Sequence, residues 1–504
     1  YVINKTMEAT WLGTSLSLLF LLFSFSVFLQ RRTHPRLPPS PPAIPILGHL
    51  HLLLKQPIHW HLQTLSQKYG PIFSLRFGSR LLVIISSPST VEECFTKNDI
   101  IFANRPCFLF GKHIDYNYST IASAPYGEHW RNLRRLSTLE IFSSNRLNMF
   151  LGIRRDEIKL LLSQLSRNSR DHFARVELRP MFIELTCNII MRMVAGKRYY
   201  GEAVDFEEAK HFREVMRGIF ELAGARNPGN FLLSLRWVYF GGYEKELVKI
   251  NRMKEVIFQG LIDEHRSPTG LVNKNTMIDH LLSMQKSEPE YYTDEIIKGL
   301  ALDLILAGTD TTATTIEWAM SLLLNHPDVL KKARVELDAL VGKDRLMEES
   351  DFPKLQYLQN IISETLRLFP AAPLLVPHMS SENSQIGGFD IPRDTILLAN
   401  VWAIHRDPKL WEDATSVKPE RFENIGGTET YKLLPFGLGR RACPGVGLAN
   451  RVVGLALGSL IQCYEWERVS EKEVDMAEGK GLTMPKMEPL EAMCKARAII
   501  RKVF

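Results

Sequence analysis

From Thr293 to Asn325 the chain reads TDEIIKGLALDLILAGTDTTATTIEWAMSLLLN. At the rise of an α-helix this stretch predicts a rod of about 50 Å, long enough to cross a large domain, so the rest of the chain has to be built around it. Thr293 is the expected N-cap, Asp294 and Glu295 suit the first turn, and His326-Pro327 stops the helix. Its centre is apolar, but Asp303, Asp310 and Glu317 keep it from reading as a membrane span. Those three acids are heptad-spaced, which is the pattern of a solvated face. Mid-helix lies AGTDTT, Ala307 to Thr312. There Gly308 costs about 1 kcal/mol relative to alanine, and the hydroxyls compete for backbone hydrogen bonds and can bend the helix. Such a weak turn suggests that something approaches the helix closely. A tolerated glycine beside a solvated acid face would look the same.

Around this rod the chain has 504 residues, 45% hydrophobic and 23% charged, which is ample for a large core. A formal net charge of +6 over that length is mild and gives no reason to expect a nucleic-acid partner. Residues 10 to 29, TWLGTSLSLLFLLFSFSVFL, carry no charge, enough for about 30 Å of membrane-spanning helix. Arg31, Arg32 and Arg36 follow, and a basic flank places that side in the cytosol. A cleaved signal peptide fits less well, because the run is long and ends in arginines without a small-x-small site. Met7 is a candidate natural start, with Tyr1 to Thr6 upstream of it.

The prolines of RLPPSPPAIPILGHL predict a stiff extended hinge. PIFSLRFGSRLLVIISSP predicts a β-hairpin turning at Gly78-Ser79, and a second β region is expected from Gln385 to Ile404. Between them the periodicity is mainly helical. The expected organisation is an N-terminal segment with a membrane anchor (1–30), a basic, proline-rich hinge (31–48) and a mainly α body with small β-sheets (49–504).

The six cysteines contain no C-x-x-C pair and are too sparse for a disulfide scaffold. Cys443 closes LLPFGLGRRACPG, Leu433 to Gly445. Its G-x-G-x-x-A imitates a dinucleotide fingerprint, but Pro435 and the short remaining chain leave no room for a βαβ unit. A nucleophilic thiol needs a base that the sequence does not identify. An iron ligand fits better. The head of a helix eases a thiolate's charge, glycines let a flat cofactor lie close, and arginines suit its carboxylates, as in haem.

Further pieces are individually weak: Trp130 and Arg134 in HWRNLRR, Glu364 and Arg367 in ETLR, and Arg421 in KPERF. In order, the chain reads W-x-x-x-R, A-G-x-D-T-T, E-x-x-R, P-E-R-F and F-x-x-G-x-R-x-C-x-G. This resembles the cytochrome P-450 family, the haem-thiolate monooxygenases, from the anchor to the C-terminus. The resemblance implies the P-450 fold and haem b, with Cys443 as axial ligand of the iron. It places Phe436 beside the sulfur and Arg441, Trp130, Arg134 and His378 at the propionates. Glu364, Arg367 and Arg421 become a buried structural triad. Thr311 and Asp310 become the dioxygen-binding and proton-relay pair, with Ala307 and Gly308 making room for oxygen.

NYSTIASAPYGEHWRNLRR, VWAIHRDPKLW and the C-terminal MCKARAIIRKVF are similar to the plant group containing the isoflavone 2′- and 3′-hydroxylases. That implies hydroxylation of an isoflavonoid by O2 and NADPH-derived electrons. The partner is then an NADPH-dependent reductase, and the site is the cytosolic face of the endoplasmic reticulum, with a single span. The group also contains enzymes acting on lignans, other phenylpropanoids, indoles and xenobiotics, including methylenedioxy-bridge formation. By family position the pocket draws on Phe108, Ile114, Ile121, Leu306, Leu374, Val376 and Thr483, and apolar lining suits a small aromatic substrate. Met379 stands where the group has an acidic or small residue, and GARNPGNFLLSLRWV also departs from it. Two alternatives are a peroxide-using isomerase of the same fold and a membrane haem protein that binds ligands without chemistry. The intact Asp310-Thr311 pair disfavours both.

Overall fold

The structure, a computed structural model, describes residues 36–503 apart from 56, 203, 226, 233–240, 268–274, 424–430 and 482, together with residues 11, 14, 17, 18 and 21. Most of the apolar run 10–29, Arg31 and Arg32 therefore lie outside the described residues. The five described positions within that run are helical, and Trp11, Leu18 and Leu21 are exposed. Among the described residues the one helix of sufficient length and apolarity to cross a membrane is Val446–Cys463. It is 72% buried inside the protein and belongs to the core.

The rod expected from the sequence is a single α-helix, Asp294–Asn325, capped by Thr293, whose hydroxyl accepts from the Ile296 N–H at 3.3 Å. The weak turn does not break it. The Thr311 and Thr315 hydroxyls donate back to the carbonyls of Ala307 (2.5 Å) and Thr311 (2.8 Å), so their competition is absorbed within the helix. Gly308 has a packing reason: a Cβ there would stand 2.8 Å from Ile190 Cδ1 on the neighbouring helix Leu178–Ala195. The open side of this turn belongs to Ala307, which is exposed.

The largest apolar cluster surrounds this central helix and includes Leu300, Ile305, Ile316, Met320 and Leu323. Trp318 is fully buried and stacks on Phe369 at 3.9 Å. The expected hairpin is present, with Ile72–Phe77 antiparallel to Arg80–Ile85 and Phe77 opposite Arg80. It extends into a four-stranded sheet through Ile396–Ala399, which is parallel to Arg80–Ile85, and His378–Met379. Ser384–Ile386 and Phe389–Ile391 form a two-stranded ribbon. The second β region ends sooner than expected, in a short helix Val401–Ile404. A third sheet joins Ala174–Glu177, Glu491–Ala496 and Tyr464–Glu467. The end of the proline-rich segment is tied to the first sheet: Ser74 donates its N–H to Pro39 O and its hydroxyl to Pro38 O, both at 2.8 Å.

The heptad-spaced acids are not a solvated face. Asp303 accepts from the Ala122 N–H at 3.1 Å, Asp310 accepts from the Thr483 hydroxyl, and Glu317 pairs with Arg179 at 3.0 Å. Asp303 and Glu317 are buried. Loop 114–123, which covers Asp303, carries three consecutive left-handed residues, Tyr116, Asn117 and Tyr118 (φ 50°, 51° and 63°). The fully buried Lys254 pins it, donating to Ile114 O at 2.7 Å and lying 3.6 Å from the centre of the Tyr116 ring. Glu255, Lys298 and Asp115 complete this charged group.

Burial, then the neighbouring Asp115, raises the Asp303 carboxyl well above the usual carboxylate range. Burial raises Asp115 too. The fold therefore keeps protons that the unfolded chain has released, and this contribution to stability is lost as pH climbs from the ordinary carboxylate range to the raised values. Replacing Asp303 by Asn should flatten that decline. The check is the thermal midpoint at about pH 5 and about pH 8, whose difference should shrink in Asp303→Asn relative to wild type.

Candidate functional site

The thiol loop, Leu433 to Gly445, is shaped by backbone hydrogen bonds. Gly437 N donates to Leu434 O and Ala442 N to Gly439 O, both at 3.1 Å, and Cys443 N donates to Phe436 O at 2.9 Å. Gly439 is obligatory: it is left-handed (φ 74°), and a Cβ would stand 2.2 Å from the Phe95 carbonyl oxygen. Cys443 lies three residues before helix Val446–Cys463. It is exposed by surface area, yet burial is the main influence raising its thiol, against the Gly445 N–H and Arg134. Both statements hold for a sulfur facing a recess lined by protein. Phe436, half-buried, fixes Cys443 through its carbonyl.

The two arginines of the loop part company. Arg440 turns outward to Asp99 at 3.2 Å. Arg441 turns inward and donates to the carbonyls of Ala103 (2.7 Å), Ile121 (3.1 Å) and Ala124. Arg134, from helix Glu128–Leu136, donates to Ala442 O at 2.6 Å. Arg105, which sequence reasoning missed, donates to Val376 O and Pro377 O at 2.9 and 2.8 Å, and its Nε is buried without a partner. A lone arginine in a loop carries no spacing signal that could have singled it out.

Burial, then the neighbouring Arg105 and Arg134, lower Arg441 to about 8, and burial lowers Arg105 to about 10. Asp99, the carboxylate nearest the loop, is committed to Arg440. The arginine cluster is thus short of negative charge, and a ligand bearing carboxylates fits it.

Trp130 donates its indole N–H to Ile121 O at 3.1 Å and places its ring 4.3 Å from the Arg441 guanidinium. In this arrangement it supports Arg441 and has no free donor of its own. His378 bonds the Phe102 carbonyl through Nδ1 at 2.7 Å, so that nitrogen carries the proton. Burial, Arg105 and Arg441 hold its pKa well below the usual histidine value, so the ring is neutral and Nε2 is an acceptor. His378 becomes a donor at Nε2 only when a nearby anion offsets these influences and lets the ring take up a second proton.

On the central helix, burial is interrupted between Leu304 and Thr311, where Ala307 is exposed and Leu306, Gly308, Asp310 and Thr311 are half-buried. Ile121 and Ala122 join this turn to the thiol loop. The Ile121 carbonyl accepts from Arg441 and Trp130, and the next N–H, from Ala122, goes to Asp303, one helical turn before Ala307. Leu375, left-handed at φ 53°, would touch a Cβ on Gly437 at 3.8 Å.

Of the expected pocket residues, Leu374, Val376 and Thr483 flank this region and Phe108 packs against Phe231 at 5.8 Å. Ile114 is a correction. It is fully buried in the core, because the Lys254 bond pulls its backbone under helix Gly241–Arg266. Leu482 lies outside the described residues.

Glu364 and Arg367 are fully buried and joined at 2.7 and 2.8 Å, and Arg421 reaches Glu364 at 3.1 Å. Arg367 also donates to the carbonyls of His405 (2.7 Å), Ala414 (2.6 Å) and Ser416 (3.2 Å).

A single thiol cannot hold a metal ion alone. A metal at Cys443 has to bring its other ligands with it, as the iron of a porphyrin does. A lone accessible sulfur, a glycine-shaped loop and anion-seeking arginines fit haem.

Comparison with known proteins agrees. The sequence matches the family described as Cytochrome P450 over residues 38–490. It is 57% identical over 499 residues to Cytochrome P450 81Q32 of Catharanthus roseus, covering 98% of this chain and 99% of that one. It is 56% identical over 497 residues to an isoflavone 3′-hydroxylase of Medicago truncatula (97% and 99%). It is 55% identical over 505 residues to the (+)-piperitol/(+)-sesamin synthase CYP81Q2 of Sesamum radiatum (99% and 99%). A zebrafish cytochrome P450 solved with abiraterone superposes with a TM-score of 0.75 at 25% identity, covering 88% of this chain and 100% of that one. The chain belongs to the cytochrome P450 family of monooxygenases, haem-thiolate proteins that use O2 and reductase-derived electrons, and its relatives of high identity are plant members.

Proposed function

We propose that this chain hydroxylates a small apolar aromatic metabolite, an isoflavonoid first, using O2 and electrons passed from NADPH by NADPH-cytochrome reductase. One oxygen atom enters a C–H bond and the other leaves as water, consuming two electrons and two protons. The observation that carries the proposal is the meeting of an accessible Cys443 thiol with the unneutralised Arg105, Arg134 and Arg441, bridged through Ile121 and Ala122 to the open turn at Ala307. Haem b, when bound, supplies the iron at which oxygen is activated.

The chain's own residues divide the remaining work. Cys443 Sγ would hold the haem iron, and Arg134 and the Gly445 N–H would ease the negative charge of its thiolate. Arg105, Arg134 and Arg441 hold the propionates, Trp130 stiffens Arg441, and His378 gains a proton beside them. Thr311 has its hydroxyl hydrogen committed to Ala307 O and turns oxygen lone pairs toward the open turn. Asp310, its carboxyl raised above the usual range chiefly by burial, stores a proton next to it. Leu306, Leu374 and Val376 keep water away from an aromatic ring.

The isoflavonoid choice rests on the 3′-hydroxylase relative and on isoflavone 2′-hydroxylases of Glycyrrhiza echinata and Medicago truncatula, 53% and 50% identical. A second reading, methylenedioxy-bridge formation on a lignan, is favoured by the sesame relative. Residues 10–29 anchor the enzyme in the endoplasmic reticulum, and Arg31, Arg32 and Arg36 keep the body cytosolic.

Three outcomes are expected. Dithionite-reduced wild type under carbon monoxide should show a strongly red-shifted Soret band that Cys443→Ser abolishes; an ordinary haem-carbonyl band in wild type would refute the thiolate. In Thr311→Ala, product formation should fall on the order of a hundredfold, the low end for a positioned proton-handling group, while NADPH consumption falls far less. Deleting residues 1–30 should move the protein from the microsomal pellet toward the supernatant without loss of the carbon monoxide spectrum.

A further inference from the structure

Among the described residues, the carboxyl of Asp310 is not held by an ion pair. Arg179, the cation acting on it, is engaged elsewhere: Nε with Glu317 at 3.0 and 3.1 Å, and Nη2 with the carbonyls of Lys486 (2.8 Å) and Glu488 (3.3 Å). The group that grips Asp310 is a neutral hydroxyl from far along the chain, Thr483 Oγ1, donating to Oδ2.

Thr483 stands at the tip of a C-terminal loop whose base is rigidly built. Gly479 N donates to Pro485 O at 2.7 Å and Met487 N to Ala477 O at 2.8 Å. Glu478 is buried and takes the indole N–H groups of Trp60 (3.0 Å) and Trp402 (2.9 Å) and a bond from His59 (2.5 Å). Lys486 is buried 4.9 Å from the centre of the Trp318 ring. Next to the tip, the Trp318 indole N–H donates to Met484 O at 2.8 Å, and Met484 N donates to Ala371 O at 3.0 Å. This last bond ties the tip to the segment that continues into Leu374 and Val376. The base is anchored through charged and aromatic groups, whereas the tip meets the central helix through the Met484 carbonyl at Trp318 and the Thr483 hydroxyl at Asp310.

We propose that Thr483 is a positioning residue that latches the Asp310 carboxyl to the substrate-lining loop, so that occupancy of the pocket is communicated to the proton-bearing group. The proposal rests on the reading of Asp310 as the proton relay. A molecule pressing on the loop tip moves Thr483 Oγ1, and Oδ2 of Asp310 is then released to turn toward Thr311. With the pocket empty, the hydroxyl holds the carboxyl in place at Oδ2 and, as a donor, works against the burial that raises it. The arrangement keeps proton delivery in step with the presence of something to oxidise.

The test uses full-length holoenzyme and, as the probe, an isoflavone that the enzyme is first shown to hydroxylate. The Asp310 infrared signature is assigned as the band lost in Asp310→Asn. Adding substrate should shift that band in wild type and in Thr483→Ser, which keeps the hydroxyl, but not in Thr483→Val, which is already released. Without substrate, Thr483→Val should divert roughly three- to tenfold more NADPH into peroxide and water than wild type, the factor set by one hydrogen bond of ordinary strength. Thr483→Ser should restore wild-type behaviour. If substrate shifts the band equally in Thr483→Val and wild type, or if Thr483→Val does not uncouple while Asp310→Asn does, the latch is refuted and the relay stands. If Asp310→Asn leaves coupling intact, the relay reading falls and takes the latch with it.

Discussion

The position of the thiol depends on an ion pair that never touches it. Glu364 and Arg367 are fully enclosed, and removing one partner of such a pair typically costs about 3–5 kcal/mol because the other charge is stranded. Here the arginine does more than neutralise. It gathers the carbonyls of His405, Ala414 and Ser416, which bends the segment after Val401–Ile404 into place. The His405 ring, kept neutral by burial and by Arg367 and Arg406, accepts from the Leu434 N–H at 2.8 Å. Leu434 O then receives Gly437 N, and Phe436 O receives Cys443 N. A row of hydrogen bonds thus runs from a helix in the core to the one sulfur that matters.

A second constraint runs the other way. Arg105, Arg134 and Arg441 oppose one another in a partly desolvated setting, which works against the fold. Backbone carbonyls soften the repulsion without cancelling it. Any carboxylate-bearing molecule that enters this cluster removes an existing penalty, and that relief enters its affinity and through it the stability of the folded chain. It also explains the neutral His378, whose ring the same cations keep unprotonated.

What was legible in the chain was what short spacing encodes. The central helix was readable from Thr293 to Asn325 because its cap, its periodicity and its proline stop are local. The hairpin at Gly78-Ser79 was readable for the same reason, and so was the loop ending in Cys443. Relations made by packing were not readable. The spacing of Asp303, Asp310 and Glu317 suggested a wet face, but each found its partner on a different distant segment. Gly308 looked like space for a small molecule, and its side of the helix proved to be filled by Ile190. Ile114 sits in a stretch of pocket character, yet a buried lysine turned it inward. Arg440 and Arg441 are adjacent in sequence and serve opposite directions.

Ile121 and Ala122 have a further consequence. Consecutive backbone groups there answer to two bodies, the carbonyl to the thiol loop and the following N–H to the central helix. Neither contact uses the side chain of Ile121 or Ala122, so both contacts survive substitution at these positions. They do not survive a change of count. Inserting or removing one residue would throw one body out of step with the other, as a missing tooth does between two gears. In this chain the number of residues between the two bodies, more than their identity, sets how the thiol loop and the open turn face each other.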